Sequence, residues 1–304
     1  MLNFDGRVAI VTGAGRGLGR AHALALAERG ARVVVNDLGG SLDGTGSSSD
    51  AAQEVVSLIV ERGGEAMASG ASVTDFDQVT AMVAEAKEKW GSVDILVNNA
   101  GILRDKSFAN VELSDFQTVV DVHLMGSVNA TKAVWPLMRE QSYGRVVMTT
   151  SSSGLYGNFG QANYGAAKLG VVGLMNTLHL EGAKYNIRVN CLAPAAATRM
   201  LEGLIPDAIA PLLTPESVSA GLVYLVSEDA PSRTILSAGA GSFAVARIHE
   251  TTGVSLLPDE VTPEGVAQHW AEIADEEGQL ALEMGGLQTQ KFLGQAAAKL
   301  GLSL

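Results

Sequence analysis

Tyr164 and Lys168 stand four residues apart in a stretch, Tyr164 to Tyr185, whose pattern predicts a helix, so both side chains share one helix face. An isolated phenol titrates near ~10 and is a poor acid or base at neutral pH. An ammonium beside it favours the phenolate and lowers that value, which makes the pair a plausible carrier of a proton to or from a substrate oxygen. Y-x-x-x-K recurs by chance, so its surroundings must add weight. Ser151 lies thirteen residues before Tyr164, at the end of an apolar run, Arg145–Thr150, that predicts a strand. Ligands of open parallel sheets gather at the carboxyl ends of strands. There a Ser151 hydroxyl could donate to a carbonyl while Tyr164 supplies the proton. Ser152 and Ser153 offer the same chemistry from adjacent positions, and all three equally suit a turn.

A second constellation is Thr12-Gly13-Ala14-Gly15-Arg16-Gly17-Leu18-Gly19, between a predicted strand (Arg7–Thr12) and a predicted helix (Leu18–Arg29). Glycines let the backbone approach a pyrophosphate, whose charge meets the helix N-terminus. Gly13, Gly15, Arg16, Gly17, Leu18 and Gly19 are therefore candidate coenzyme contacts. Asp37 follows a second apolar run, Ala31–Asn36, 18 residues past Gly19. A carboxylate there accepts both ribose hydroxyls and repels a 2′-phosphate, so NAD is expected over NADP. Arg16 reads two ways, as a partner for a 2′-phosphate or as a solvated loop residue.

The elements that must position these groups alternate along the chain. Helices are predicted over Ala51–Arg62, Phe76–Trp90 and Leu113–Arg139, and strands over Asp94–Asn98 and Ile187–Leu192. This order predicts an α/β fold: a doubly wound parallel sheet of Rossmann type, with helices on both faces. Leu38–Asp50 reads as a long Gly/Ser loop. One domain is expected over 1–250, with a substrate lid near 198–216. Residues 251–304 are expected as a helical extension packed on the core, anchored by Trp270 and Phe292 across a subunit interface.

The chain has 304 residues and a formal net charge of −12, which argues against nucleic acid as a main partner. A single cysteine, Cys191, and scattered histidines give no metal site. No basic leader and no uninterrupted apolar stretch of ~18 residues is present, so a soluble cytoplasmic protein without a membrane partner is expected.

Taken in order, T-G-x-x-x-G-x-G, N-N-A-G (Asn98–Gly101), Ser151 and Y-x-x-x-K resemble the short-chain dehydrogenase/reductase family over about Phe4 to Met200. The resemblance implies Tyr164 as acid/base, Lys168 also on the nicotinamide ribose, and Ser151 orienting the carbonyl. It further implies Asn99 and Gly101 in the coenzyme groove, with Pro194 and Thr198 near the nicotinamide amide. The family's usual Asn before the catalytic strand is His123 here, which either anchors a relay water or is structural. Gly101–Phe108 (G-I-L-R-D-K-S-F), V-H-L-M-G and Gly154–Tyr164 resemble more narrowly the (3R)-hydroxyacyl-CoA dehydrogenases of the multifunctional enzyme type 2 kind. That implies an acyl-CoA substrate, and Arg104 and Lys106 are candidates to face its phosphates, or else an exposed loop pair. Leu201, Leu204, Ile205, Leu212 and Leu213 could wall the acyl end. A hydroxysteroid dehydrogenase is the alternative, and a non-catalytic NAD-binding sensor a more distant one. Family resemblance implies a homodimer or homotetramer built on the helices flanking the catalytic strand, for which Val171, Val172 and Leu174 are expected interface residues.

Overall fold

The computed structural model describes residues 2–41, 43–46, 50–195 and 212–302. Its contacts divide the chain into two compact units, Met1–Val245 and Ala246–Leu304. The first unit opens with β1 (Val8–Thr12), α1 (Gly17–Ala27), β2 (Arg32–Asn36), α2 (Asp50–Glu61), β3 (Ala66–Ser69), α3 (Phe76–Trp90) and β4 (Ile95–Asn98). It continues through α4 (Leu113–Val120), a π-helical turn (Asp121–Met125), α5 (Gly126–Gln141), β5 (Gly144–Thr149), α6 (Ser152–Tyr156) and α7 (Ala162–Gly182). Then come β6 (Ile187–Ala195), α8 (Pro215–Leu225), β7 (Ile235–Gly239) and β8 (Ser242–Ala246). The sheet order is β3-β2-β1-β4-β5-β6-β7-β8. Every pairing from β3 to β7 is parallel, with Ile10 beside both Val34 and Leu96, and Met148 beside Cys191.

The apolar runs become central strands because helices cover both faces of the sheet. β1, β4 and β5 are buried at every residue. One part of the core lies where Val11, Val33, Val97 and Val147 meet Leu26 of α1, Ile59 of α2 and Leu222 of α8. Chain order reverses between β1 and β4, which opens a crevice at their carboxyl ends.

The doubly wound architecture agrees with the sequence expectation, but three elements differ in detail. β3 (A-M-A-S) has no β-branched residue to mark it, yet it must exist to connect α2 and α3 on the same sheet edge. The helix expected over Leu113–Arg139 carries the π-helical turn in its middle, which interrupts the 3.6-residue periodicity. β7 and β8 are joined by Ala240 and Gly241, both at positive φ (51° and 74°), as a two-residue hairpin turn requires.

A correction concerns α7. Val171 and Val172 are 0% and 1% exposed, so the chain's own core covers them and no partner is needed. Exposed apolar side chains on the helices flanking β5 include Leu113 of α4, Met125 of the π-helical turn, and Leu169 and Leu180 of α7. The second unit holds α9 (Pro263–Gln268), α10 (Trp270–Ile273) and α11 (Gly285–Leu300). Its links include an antiparallel bridge between Glu250 and Leu280 and a bond from Lys291 of α11 to the Thr251 carbonyl. Among the described residues, no helix is long and apolar enough to cross a membrane.

Candidate active site

After β1 the chain turns at Gly13, where φ is +64°, and enters α1 at Gly17. A Cβ at Gly13 would lie 2.8 Å from Ala100 Cα, and one at Gly19 only 2.1 Å from the Gly13 carbonyl oxygen. The glycine turn is thus packed backbone to backbone against the Asn98–Gly101 turn. Thr12 Oγ1 accepts from the Asn99 and Ala100 amides at 3.0 and 3.1 Å. The Asn99 side-chain amide donates to the Thr12 and Gly13 carbonyls at 2.9 and 3.0 Å. Asn99 therefore braces the turn as well as lining the groove.

A cleft of about 550 Å³ runs along this crevice, lined among others by Gly13, Arg16, Gly17, Leu18, Gly19, Asp37, Asn99 and Gly101. Gly15 lies beneath that surface. Its N–H donates to Asp37 Oδ2 at 2.7 Å, and a Cβ there would meet that oxygen at 2.8 Å. Asp37 Oδ1 accepts from Gly39 N at 2.7 Å. Gly15 thus lets the carboxylate close on the turn. The cleft is also lined by Ala71–Thr74, which follow β3, a strand that no β-branched run marks in the sequence.

Ser151 caps the N-terminus of α6, its hydroxyl accepting from Ser153 N at 3.2 Å. The same hydroxyl lies near enough to the Tyr164 phenol to lower its pKa. Ser151, Tyr164 and Lys168 converge because α6 lies tightly on α7: a Cβ at Gly154 would be 2.8 Å from Lys168 Cβ. Burial raises the phenol above its ordinary value, the Ser151 hydroxyl lowers it, and the Asp105 charge raises it again. Lys168 is buried on α7. Its Nζ donates to the Thr149 carbonyl at 2.6 Å and lies 5.5 Å from the Tyr164 ring centroid. Burial pulls its own pKa down to about 7.

His123 sits in the π-helical turn, 2% exposed. Its Nε2 lies 3.1 Å from the Ile102 amide and 2.7 Å from the Ile102 carbonyl. Its ring meets Tyr164 edge to face, centroids 5.0 Å apart, and Nδ1 has no partner. Burial, then the Lys168 charge, holds its pKa well below the usual value, so the ring is neutral. Gly101 is the seat for it: a Cβ there would lie 2.3 Å from His123 Cε1.

Other candidates are placed as follows. Pro194 is in β6, paired with Ala238. Thr198, Leu201, Leu204 and Ile205 lie outside the described residues; Leu212 is exposed and Leu213 half-buried. Arg104 and Lys106 both pair with Asp115, at 3.0 and 3.2 Å.

A glycine turn feeding a helix at the switch of a parallel sheet, beside a Ser–Tyr–Lys cluster, defines a dinucleotide-dependent oxidoreductase. The model of the short chain dehydrogenase family matches residues 7–207, and the chain belongs to that family. It is 47% identical over 277 residues to the mouse (Mus musculus) peroxisomal multifunctional enzyme type 2, covering 90% of this chain and 37% of that protein. The full-length structure of the Drosophila melanogaster multifunctional enzyme type 2 superposes with a TM-score of 0.83 at 38% identity, covering 98% of this chain and 50% of that one. The chain thus spans half or less of these multifunctional relatives. A 7α-hydroxysteroid dehydrogenase solved with NADH and 7-oxo glycochenodeoxycholic acid matches with a TM-score of 0.71 at 30% identity, covering 79% of this chain and 95% of that one. The cleft fits a nicotinamide coenzyme: Cβ atoms at Gly13 and Gly19 have no room, and the turn delivers the start of α1 to the groove.

Proposed function

We propose that the protein oxidises a 3-hydroxyacyl-CoA to the 3-ketoacyl-CoA with NAD. The observation that carries this reading is the convergence of Ser151, Tyr164 and the buried Lys168 at the carboxyl ends of the central strands, where the coenzyme cleft also opens. Tyr164 takes the proton of the substrate hydroxyl, and Ser151 holds the same oxygen through its hydroxyl. The neutral His123 packs edge to face on the Tyr164 ring, and the Lys168 Nζ stands 5.5 Å from the ring centroid. The bound nicotinamide supplies the acceptor for the hydride leaving C3. Gly13, Gly17 and Gly19 would admit the pyrophosphate, and Asp37 would accept the ribose hydroxyls and disfavour a 2′-phosphate.

The thioester is supported by the extended likeness to multifunctional enzymes over 90% of the chain. Lys106, with 48% of its side chain exposed, remains available to a CoA phosphate. The likeness to a hydroxysteroid dehydrogenase favours a second reading, a steroid alcohol, over a smaller part of the chain. NADH absorbance with purified protein, comparing 3-hydroxyacyl-CoA thioesters and free hydroxysteroids, decides between them. Thioester turnover with inert steroids is expected; turnover of steroids alone moves the substrate to the second reading. A protein that binds NADH but turns over neither is a sensor.

A further inference from the structure

We propose that Arg104 is a positioning residue that latches the loop after β2 across the coenzyme cleft and thereby sets coenzyme affinity. The proposal rests on the coenzyme reading of the cleft and not on the identity of the substrate. The loop contributes Leu38, Ser41 and Gly44 to one side of the cleft, and α4 contributes Thr118 to another. Arg104 connects the two. Its Nε donates to the Asp43 carbonyl at 3.0 Å, and its Nη1 donates to Asp115 Oδ1 at 3.0 Å and reaches Thr118 Oγ1 at 3.4 Å.

Among its described residues, the loop tip is otherwise tied to itself. Ser41 N donates to the Thr45 carbonyl at 2.8 Å, and Thr45 Oγ1 donates to Asp43 Oδ1 at 2.8 Å. The body of the protein meets this tip through the Arg104 fork and through Ile102, whose Cγ2 would lie 3.1 Å from a Cβ at Gly44. A planar guanidinium can donate in two directions at once; an ammonium on a flexible stem cannot span the same pair of acceptors in fixed geometry.

The backbone of Arg104 reaches the chemistry. Its carbonyl accepts from Asn163 Nδ2 at 3.0 Å, and Asn163 Oδ1 accepts from the Tyr164 amide at 2.8 Å. Asn163 is 1% exposed, so this link is fixed in the core. One residue therefore joins the loop beside the coenzyme to the start of the helix that carries the acid/base. A loop held in place before binding costs less to order when the coenzyme arrives.

The test measures NADH dissociation constants by fluorescence, together with amide exchange over residues 43–46 in the ligand-free protein. Arg104→Ala is expected to weaken NADH roughly tenfold and to accelerate exchange at the loop tip. Arg104→Lys keeps charge near Asp115 and the backbone bond to Asn163, so it is the variant that folds if alanine does not. It too is expected to bind NADH weakly. KM for the coenzyme should rise far more than kcat falls. Wild-type affinity in Arg104→Ala, full recovery in Arg104→Lys, or unchanged exchange at the tip each overturns the latch. A wild-type protein that binds no NADH overturns the coenzyme reading itself, and the latch with it.

Discussion

Burial raises the Tyr164 phenol above its ordinary range, while burial at Lys168 drags the ammonium down to about 7. In the ligand-free chain the phenol is therefore protonated at neutral pH, ready to donate in ketone reduction, whereas alcohol oxidation needs the phenolate. Oxidation rates at saturating substrate should climb from about pH 7 to beyond about pH 10, whereas reduction rates should hold over that range and fall only above about pH 10. Flat profiles in both directions would take the phenol out of the rate-limiting proton transfer. Tyr164→Phe removes the oxygen and keeps the ring against His123. Turnover should drop by roughly 10²- to 10⁴-fold while NADH titration stays near wild type; turnover close to wild type would reassign the acid/base. These residues were readable because Y-x-x-x-K, the preceding serine and the glycine octet are local in sequence. The direction of the Tyr164 shift was not, since it is set first by burial, which only folding decides.

At the scale of elements, helix contacts set both the site and its acid limit. α1, which opens at the coenzyme turn, packs on α8 through His22, which is fully buried with Nδ1 2.8 Å from Ser219 Oγ. Burial lowers its pKa from 6.5 to about 3. Because the folded value lies below the unfolded one, the unfolded chain takes up the proton first. The stability His22 contributes is complete above pH 6.5 and is lost as pH falls from there toward about 3. The loss has a limiting slope of about 1.4 kcal/mol per pH unit. His123, buried and neutral beside Tyr164, pushes in the same direction. Urea unfolding at about pH 7 and about pH 5 should show a smaller drop for His22→Gln than for the wild type; equal drops would place the acid sensitivity elsewhere. The π-helical turn at Asp121–Met125 is the element the sequence hid most completely. Its one cue was a histidine, where packing against Gly101 and Ile102 decides which way the ring faces.

For the whole molecule, the second unit leaves Trp270 61% and Phe292 51% exposed, with Leu293 beside the latter on α11. Apolar side chains of this size left in water are a cost that association removes. If this unit takes part in self-association, the double variant Trp270→Ser/Phe292→Ser should show a smaller apparent mass in light scattering. A mass equal to that of the wild type would exclude both residues from the contact.

The sequence by itself determined the doubly wound sheet, because buried parallel strands must be continuous apolar runs and their helices must alternate with them. It also offered the candidate chemical groups, since the glycine octet, Asp37 and Ser151 sit at element ends and Tyr164 and Lys168 lie one turn apart in the first two turns of α7. Tertiary structure alone decided how those groups are engaged. Gly15 proved to be the floor for Asp37, Asn99 a brace for the turn, and Arg104 a partner of Asp115 and the Asp43 carbonyl. The physical reason is one of range. Strand and helix patterns arise from neighbours a few residues apart, whereas a side chain's charge state and partners are set by distant groups, such as Ser219, 197 positions from His22, that only folding brings within hydrogen-bond distance.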